Sequence, residues 1–314
     1  MTWRVLISAP YMQPVVDEFR ATFAENDIEV TVPTVRERLS EEELLGLMGG
    51  IDGVICGDDR FTEKVLKAAS PQLKVIAKWG TGIDSIDADA AARLGILVCN
   101  TPDAFTHAVA DTVMGYLLAF ARGIPWADRD IRAGRWEKRP GISLRECTLG
   151  VIGVGNIGRA VVRRAVAFGM GVLGNDIATV PPEFVAETGL ELTTKDDLLR
   201  RADFVSLNCD LNPTSEHLIG PWELRLMKPT ARLVNTARGP LVDEPALAAA
   251  LTAGSIAGAA LDVFEAEPLP QDSPLRKLDN VLFAPHNANS SPAAWQRVHE
   301  NTIRNLIAGL KGER

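Results

Sequence analysis

Residues 149–158 read LGVIGVGNIG, and this stretch decides the fold of the chain. An apolar run typical of a buried strand leads into three glycines with the spacing G-x-G-x-x-G, and a helical pattern follows. Gly153 permits a tight turn, Gly155 lets a pyrophosphate approach the backbone, and Gly158 lets the helix pack closely on the strand. The stretch therefore predicts a strand, a phosphate-binding turn and a helix.

A second predicted strand, residues 171–175, ends at Asp176. A carboxylate at this point accepts hydrogen bonds from an adenosine ribose and repels a 2′-phosphate. Backbone N–H groups at the start of the first helix, at Asn156 and Ile157, and the positive end of the helix dipole favour phosphate. A bare G-x-G-x-x-G also fits an ordinary glycine turn, but strand, glycines, helix, second strand and acid in this order predict a binding site for NAD.

The composition narrows the class of protein. A net charge of −8 argues against a nucleic-acid partner, which requires a basic face. The longest nearly uncharged stretch, residues 112–121, is too short to span a membrane, and the N-terminus shows no signal-peptide pattern. The four cysteines lack the C-x-x-C spacing of a metal site and fit reduced thiols. We therefore expect a cytoplasmic protein without a bound metal.

Alternating strand and helix patterns fill the first hundred residues and predict a small parallel α/β unit. A long helix is predicted over residues 104–122, and residues 292–310 read as one final helix that returns to the first domain. Between these helices the predicted strands lie near residues 148–153, 170–175, 203–208, 231–235, 257–262 and 281–284. Six strands of this kind, the first five separated by helices, predict a doubly wound sheet.

The predicted fold class is therefore α/β with two domains. A Rossmann doubly wound parallel sheet for the cofactor is expected over residues 101–287. A smaller, flavodoxin-like parallel α/β domain for the substrate is expected over residues 1–100 together with 288–314.

Three of the predicted strands in the cofactor domain are each followed by a side chain suited to catalysis. Arg238 follows the fourth of these strands, Glu265 and Glu267 follow the fifth, and His286 follows the sixth. Because ligands bind beyond the carboxyl ends of the strands in such a sheet, we expect these side chains to meet. Each alone also fits a structural role, as a solvated loop charge, a turn acid or a core histidine.

Together these side chains suit one reaction. An arginine fork binds a carboxylate and polarises a neighbouring carbonyl. A histidine exchanges a proton with a hydroxyl near neutral pH, and a glutamate on its far nitrogen favours the protonated ring. Hydride transfer between a nicotinamide cofactor and a 2-keto acid needs this combination. Of the other histidines, His107 is a second candidate, whereas His217 and His299 are expected in surface helical positions.

The first domain is expected to contribute substrate contacts after its fourth strand, where the sequence reads KWGTG over residues 78–82. Two glycines at a strand end can form a nest of backbone N–H groups for a carboxylate. We therefore predict substrate contacts from Lys78, Thr81 and Gly82. The alternative is a simple glycine turn with Trp79 packed in the core.

With these motifs in place, the chain resembles the D-isomer-specific 2-hydroxyacid dehydrogenases over nearly its whole length. The resemblance lies in residues 78–84, 98–102, the glycine loop with Asp176, 235–239, 260–268 and 285–286. It implies that Arg238 holds the substrate, that Glu267 partners the histidine, and that His286 is the acid/base. It also implies Asp262 beside the nicotinamide, further NAD contacts at Cys209, Thr214, Thr236 and Ala237, and a homodimer formed through the cofactor domain.

The predicted function is the NAD-dependent interconversion of a small D-2-hydroxy acid and its 2-keto acid. The candidate substrates are 3-phosphoglycerate, hydroxypyruvate and glyoxylate. Phosphoglycerate dehydrogenases typically carry an arginine at the end of the third strand, where this chain has Cys56. Two alternatives stay open: an NAD(H)-sensing interaction protein, similar to corepressors on the same scaffold, and a relative that oxidises formate or phosphite.

Overall fold

The computed structural model describes residues 2–313, which form two compact units. Unit 1 contains the residues up to Phe105 together with those from Ser291 onward, and unit 2 contains Thr106–Ser290. The sequence places these divisions after residue 100 and before residue 288. Each unit is built on its own parallel sheet.

Unit 1 has a five-stranded sheet in the order β2-β1-β3-β4-β5. The strands are β1 (Trp3–Ile7), β2 (Ile28–Thr31), β3 (Gly53–Cys56), β4 (Val75–Lys78) and β5 (Leu97–Cys99). The helices between them are α1 (Arg20–Glu25), α2 (Glu41–Leu47), α3 (Glu63–Ala69) and α4 (Ala88–Arg93), with a 3-10 segment before α1. Strands β3 and β4 are buried along their whole length, as expected for parallel strands covered on both faces. The strand order is that of the flavodoxin-like fold, which confirms the prediction.

Unit 2 has a seven-stranded sheet in the order β12-β11-β10-β9-β6-β7-β8. Two long helices come first, α5 (Thr106–Arg122) and α6 (Ile124–Arg132). The strands are β6 (Thr148–Ile152), β7 (Gly171–Asn175), β8 (Glu191–Leu192), β9 (Phe204–Leu207), β10 (Arg232–Asn235), β11 (Gly258–Leu261) and β12 (Val281–Phe283). The helices among them are α7 (Asn156–Ala167), α8 (Pro182–Thr188), α9 (Lys195–Arg201), α10 (Pro221–Leu226) and α11 (Glu244–Thr252).

The predicted count of six strands for this sheet is wrong by one. The additional strand, β8, has only two residues, both exposed, and it pairs with β7 through Leu173 and Glu191. A strand this short shows no hydrophobic alternation from which it could be predicted. With β8 included, the order is the Rossmann order 3-2-1-4-5-6, and β12 extends the sheet at the opposite edge.

The last helix, α12 (Pro292–Lys311), belongs to unit 1 and packs on β3 and β4. Its buried face includes Val298, Thr302 and Leu306. In unit 2, α5 packs against α7, and its side chains Val113 and Leu117 are fully buried. Within residues 2–313, every helix is too short or too polar to cross a bilayer.

Candidate active site

The glycine loop lies between β6 and α7 in unit 2. Gly153 has a φ of 87°, and a Cβ at this position would lie 2.6 Å from the backbone nitrogen of Cys209. A Cβ on Gly158 would lie 2.0 Å from the carbonyl oxygen of Gly153. Gly155 is the N-cap of α7, and apart from its neighbours in the chain no atom of residues 2–313 lies within 4 Å of the Cβ that it lacks. Two of the glycines are therefore required by close contacts, and the third leaves open space where a pyrophosphate would approach the helix start.

Asp176 has a second role that the sequence does not predict. Its Oδ2 accepts a hydrogen bond from the N–H of Val154 at 2.5 Å, and its Oδ1 accepts one from the N–H of Ala178 at 2.8 Å. The carboxylate thus holds the middle of the glycine loop and keeps a negative charge beside it. The contact of Asp176 with a ribose stays a prediction.

The other predicted cofactor contacts differ in their surroundings. Burial raises the pKa of the Cys209 thiol to about 11, so this side chain is uncharged near neutral pH. Thr214 donates from both its N–H and its Oγ1 to Asn212 Oδ1, which fixes a turn. Thr236 is buried, and within the described part of the chain its hydroxyl has no hydrogen-bond partner. An open helix start, a carboxylate beside it and an unpartnered buried hydroxyl fit NAD.

The loop that carries Arg238 is held by two residues that the sequence analysis did not single out. Asn235 Oδ1 accepts from the N–H of Ala237 at 3.1 Å, and Asn235 Nδ2 donates to the carbonyl of Arg238 at 2.8 Å. A Cβ on Gly239 would lie 1.9 Å from the carbonyl carbon of Phe264, so only glycine fits there. A buried asparagine at a strand end and a glycine directly after the arginine are the signals that could have identified them.

His286 and Glu267 form the predicted pair. His286 Nδ1 lies 3.0 Å from Glu267 Oε2, and Glu267 Oε1 accepts from the N–H of Phe264 at 2.9 Å. The side chains are 22% and 16% exposed, so solvent screens this interaction only weakly. Because Glu267 is the acceptor for Nδ1–H, Nε2 is the ring nitrogen placed to exchange a proton with a substrate.

Asp262 fixes the turn on which His286 lies. It is fully buried at the end of β11, and its two oxygens accept from the N–H groups of Asn287 and Ala288 at 2.8 and 2.9 Å. Its carbonyl oxygen accepts from the N–H of His286 at 2.7 Å. These bonds hold His286 in a left-handed conformation, with a φ of 51°, that a non-glycine residue rarely adopts. Burial raises the pKa of Asp262, and the two backbone bonds oppose that rise. A contact with the nicotinamide stays a prediction.

The predicted substrate segment of unit 1 begins with an ion pair between a buried lysine and a partly exposed aspartate. Lys78 is 3% exposed, and its Nζ donates to Asp58 Oδ1 at 2.6 Å. Thr81 Oγ1 donates to the carbonyl of Thr101 at 3.2 Å, and Gly82 follows it in the loop after β4. The substrate contacts of these residues stay predictions, while the packing of Trp79 in the core is seen, since its ring is 5% exposed.

Two of the remaining three histidines, His299 and His217, each correct one expectation. His299 is buried rather than at the surface, because α12 turns this face toward the sheet, and its Nδ1 accepts from Trp79 Nε1 at 2.9 Å. Burial lowers the pKa of His299. His217 is exposed as expected, but it lies in a loop and not in a helix, with its Nε2 3.1 Å from Glu265 Oε1. His107 Nδ1 lies 3.4 Å from Arg164.

Comparison with known proteins agrees with this geometry. Residues 114–288 match the model of the D-isomer specific 2-hydroxyacid dehydrogenase NAD binding domain. The glyoxylate reductase of Thermofilum pendens is 44% identical over 281 residues, which cover 87% of this chain and 83% of that protein. The D-3-phosphoglycerate dehydrogenase of Methanocaldococcus jannaschii is 43% identical over 91% of this chain, but the match covers only 55% of that protein.

Solved structures extend the similarity to the whole fold. The D-lactate dehydrogenase of Aquifex aeolicus, complexed with NAD and lactic acid, has a TM-score of 0.89 at 28% identity, with 98% of this chain and 96% of that chain covered. A glyoxylate reductase from Paecilomyes thermophila has a TM-score of 0.84 at 29% identity, with 99% and 96% covered.

Proposed function

Because the chain belongs to the D-isomer-specific 2-hydroxyacid dehydrogenase family, we propose that Arg238, Glu267 and His286 perform the reaction of that family here. The protein is an oxidoreductase that uses NAD to interconvert a 2-hydroxy acid and its 2-keto acid. An NAD(H)-sensing interaction protein is not favoured, because the relatives are named reductases and dehydrogenases. The pairing of His286 Nδ1 with Glu267 at 3.0 Å carries the assignment of the acid/base.

The residues divide the work of the reduction. The loop from Gly153 to Gly158 and the carboxylate of Asp176 would hold NADH, which would supply the hydride that the keto carbon receives. Arg238 holds the substrate carboxylate in its fork and polarises the carbonyl. His286 donates its Nε2 proton to the carbonyl oxygen, which becomes the hydroxyl of the product. The Glu267 carboxylate favours the protonated imidazole before the transfer and orients the ring.

We propose that the substrate is an unphosphorylated keto acid, such as glyoxylate or hydroxypyruvate. Lys78 is the buried cation of the predicted substrate segment, and the carboxylate of Asp58 already balances its charge at 2.6 Å. A phosphate on the substrate would bring roughly two further negative charges toward Asp58, which electrostatics disfavours. The glyoxylate reductases among the relatives point to the same substrate class.

A panel of keto acids with NADH tests this function. We expect turnover with glyoxylate and hydroxypyruvate. The kcat/KM for phosphorylated hydroxypyruvate should be lower than that for hydroxypyruvate by at least about tenfold, which corresponds to ~1.4 kcal/mol in transition-state stabilisation. Asp58→Asn should narrow that difference, whereas Asp89→Asn, an exposed acid on α4, should leave it unchanged. No turnover with any keto acid would contradict the function, and a preference for the phosphorylated acid would contradict only the substrate class.

Asp176 should also set the choice of cofactor. The wild type is expected to prefer NAD to NADP, because the carboxylate repels a 2′-phosphate. Asp176→Ala should narrow the preference for NAD over NADP, mainly by weakening the binding of NAD. The variant also loses the hydrogen bond from the N–H of Val154 that shapes the glycine loop. The measurement is kcat/KM with each cofactor, with Glu183→Ala, an exposed acid on α8, as the control. Equal efficiency of the wild type with both cofactors would disprove the role.

We further propose a homodimer formed through unit 2. Apolar side chains are exposed on and after α6, at Ile124, Ile131 and Trp136, and the Trp136 ring is 89% exposed. A monomer rarely leaves such a group uncovered, and a second copy of the chain is the occupant that the family resemblance implies. Sedimentation should give twice the chain mass of 33.9 kDa, and a monomer that persists at high protein concentration would disprove the proposal.

A cytoplasmic location, supported by four free cysteines, is a proposal that cell fractionation tests.

A further inference from the structure

Glu244 and Glu265 exchange two hydrogen bonds between the loops that carry the catalytic side chains. The N–H of Glu244 donates to Glu265 Oε1 at 3.1 Å, and the N–H of Glu265 donates to Glu244 Oε1 at 2.6 Å. Glu244 begins α11, shortly after Arg238, and Glu265 lies two residues before Glu267. We propose that this pair, the glutamate clamp, positions Arg238 and Glu267 relative to each other. The proposal rests on the proposed function.

The backbone between the clamp and the catalytic pair transmits its position. Gly239 packs against the backbone of Phe264 so closely that no Cβ fits between them. The N–H of Phe264 in turn donates to Oε1 of Glu267, and the other carboxylate oxygen of Glu267, Oε2, faces His286. A shift of the segment around Glu265 therefore moves the acceptor that orients the His286 ring.

His217 ties a third segment to the same point. Its Nε2 lies 3.1 Å from Glu265 Oε1, and its N–H donates to the carbonyl of Pro240 at 2.8 Å. This one residue therefore contacts the loop after Arg238 through its backbone N–H and the loop before Glu267 through its side chain. The His217 side chain is 49% exposed, so its interaction with Glu265 contributes little. The two hydrogen bonds between backbone N–H groups and carboxylates of the clamp provide most of the constraint.

The clamp places like charges close together. Burial, opposed by a bond from the N–H of Glu265, raises the pKa of Glu244, and the negative charges of Glu265 and Glu267 raise it further. Such repulsion disfavours the folded arrangement. Hydrogen bonds from N–H groups to carboxylates are stronger than neutral ones, and two in opposite directions define both distance and orientation. The arrangement thus favours precise geometry over stability.

Four variants test the clamp. Glu265→Ala removes the acceptor for the N–H of Glu244, and Glu265→Gln keeps a neutral acceptor oxygen at the same place. Glu223→Ala is the matched control, because Glu223 also accepts a backbone N–H at the start of a helix, from Gly220 at 3.1 Å, away from the catalytic loops. If Glu265→Ala does not fold, Glu244→Ala breaks the other half of the clamp. The measurements are kcat and KM for hydroxypyruvate, Kd for NADH, and hydrogen–deuterium exchange of residues 262–268.

We expect Glu265→Ala to lower kcat by about 10- to 100-fold and to raise the KM for hydroxypyruvate, because misplaced groups lose effective orientation. The Kd for NADH should not change, and exchange of residues 262–268 should become faster. Glu265→Gln should retain most of the wild-type kcat, and Glu223→Ala should retain it fully. Equal losses in the Ala and Gln variants, or unchanged kcat and exchange in Glu265→Ala, would overturn the clamp. An inactive wild type would instead disprove the proposed function, and the exchange data would still decide the clamp.

Discussion

His286→Ala is expected to lower kcat for keto-acid reduction by about 10²- to 10⁴-fold, the usual contribution of a general acid. In the proposed reaction the proton that completes the hydroxyl comes from His286 Nε2, and alanine leaves no group at that point to deliver it. The imidazole is held by Glu267 through Nδ1 and by Asp262 through the backbone of its turn. Neither contact belongs to the glycine loop, so the Kd for NADH should stay unchanged.

Steady-state turnover and NADH fluorescence titration separate these two effects. His107→Ala is the matched control, because His107 is the other histidine that the sequence presents as a candidate. It contacts Arg164 in the structure, and its replacement should leave kcat unchanged. Wild-type turnover in His286→Ala, or a large loss in His107→Ala with His286→Ala active, would show that the acid/base has been assigned to the wrong residue.

Arg238→Lys is expected to lose roughly 10- to 100-fold in kcat/KM although the charge is kept. A hydrogen bond to a charged group contributes about 1.5–3 kcal/mol, and a lysine cannot reproduce the planar fork that meets a carboxylate with two N–H groups. Arg238→Ala should raise the keto-acid KM and also lower kcat, since the side chain both binds and orients the substrate.

The measurement is the dependence of initial rate on keto-acid concentration at saturating NADH. Arg225→Lys, an exposed arginine on α10, is the control for the change of side chain and should behave like the wild type. If Arg238→Lys keeps the wild-type kcat/KM, the substrate carboxylate is held by charge alone or by another residue.

The positions of the three proposed catalytic side chains could be predicted because they depend on where strands end. Apolar runs define β10, β11 and β12 locally, and parallel strands bring their carboxyl ends to one edge. Arg238 and His286 lie three residues after the ends of β10 and β12, and Glu267 lies six residues after the end of β11. The same rule predicts which of the three side chains lies beyond which strand. The structure then places His286 at hydrogen-bond distance from Glu267.

The contacts that hold these side chains could not be predicted, because they join residues far apart in the chain. The Asp262 carboxylate accepts hydrogen bonds from the N–H groups of Asn287 and Ala288, 25 and 26 positions later in the chain. No local sequence pattern predicts these contacts. His299 is buried because α12 returns to the sheet of unit 1, a packing that its own helical sequence does not show. The short strand β8 is missed for a different reason, since two exposed residues carry no periodic signal.

The stereochemistry of the product reports on the proposed roles of Arg238 and His286 together. Hydroxypyruvate is incubated with NADH and the wild-type protein, and the glycerate formed is resolved by chiral chromatography. If Arg238 fixes the carboxylate and His286 donates to the carbonyl oxygen, one face of the keto carbon meets the hydride and a single enantiomer forms. The D-isomer specificity of the family makes D-glycerate the expected product. L-glycerate, a racemic mixture, or no consumption of NADH would contradict the account.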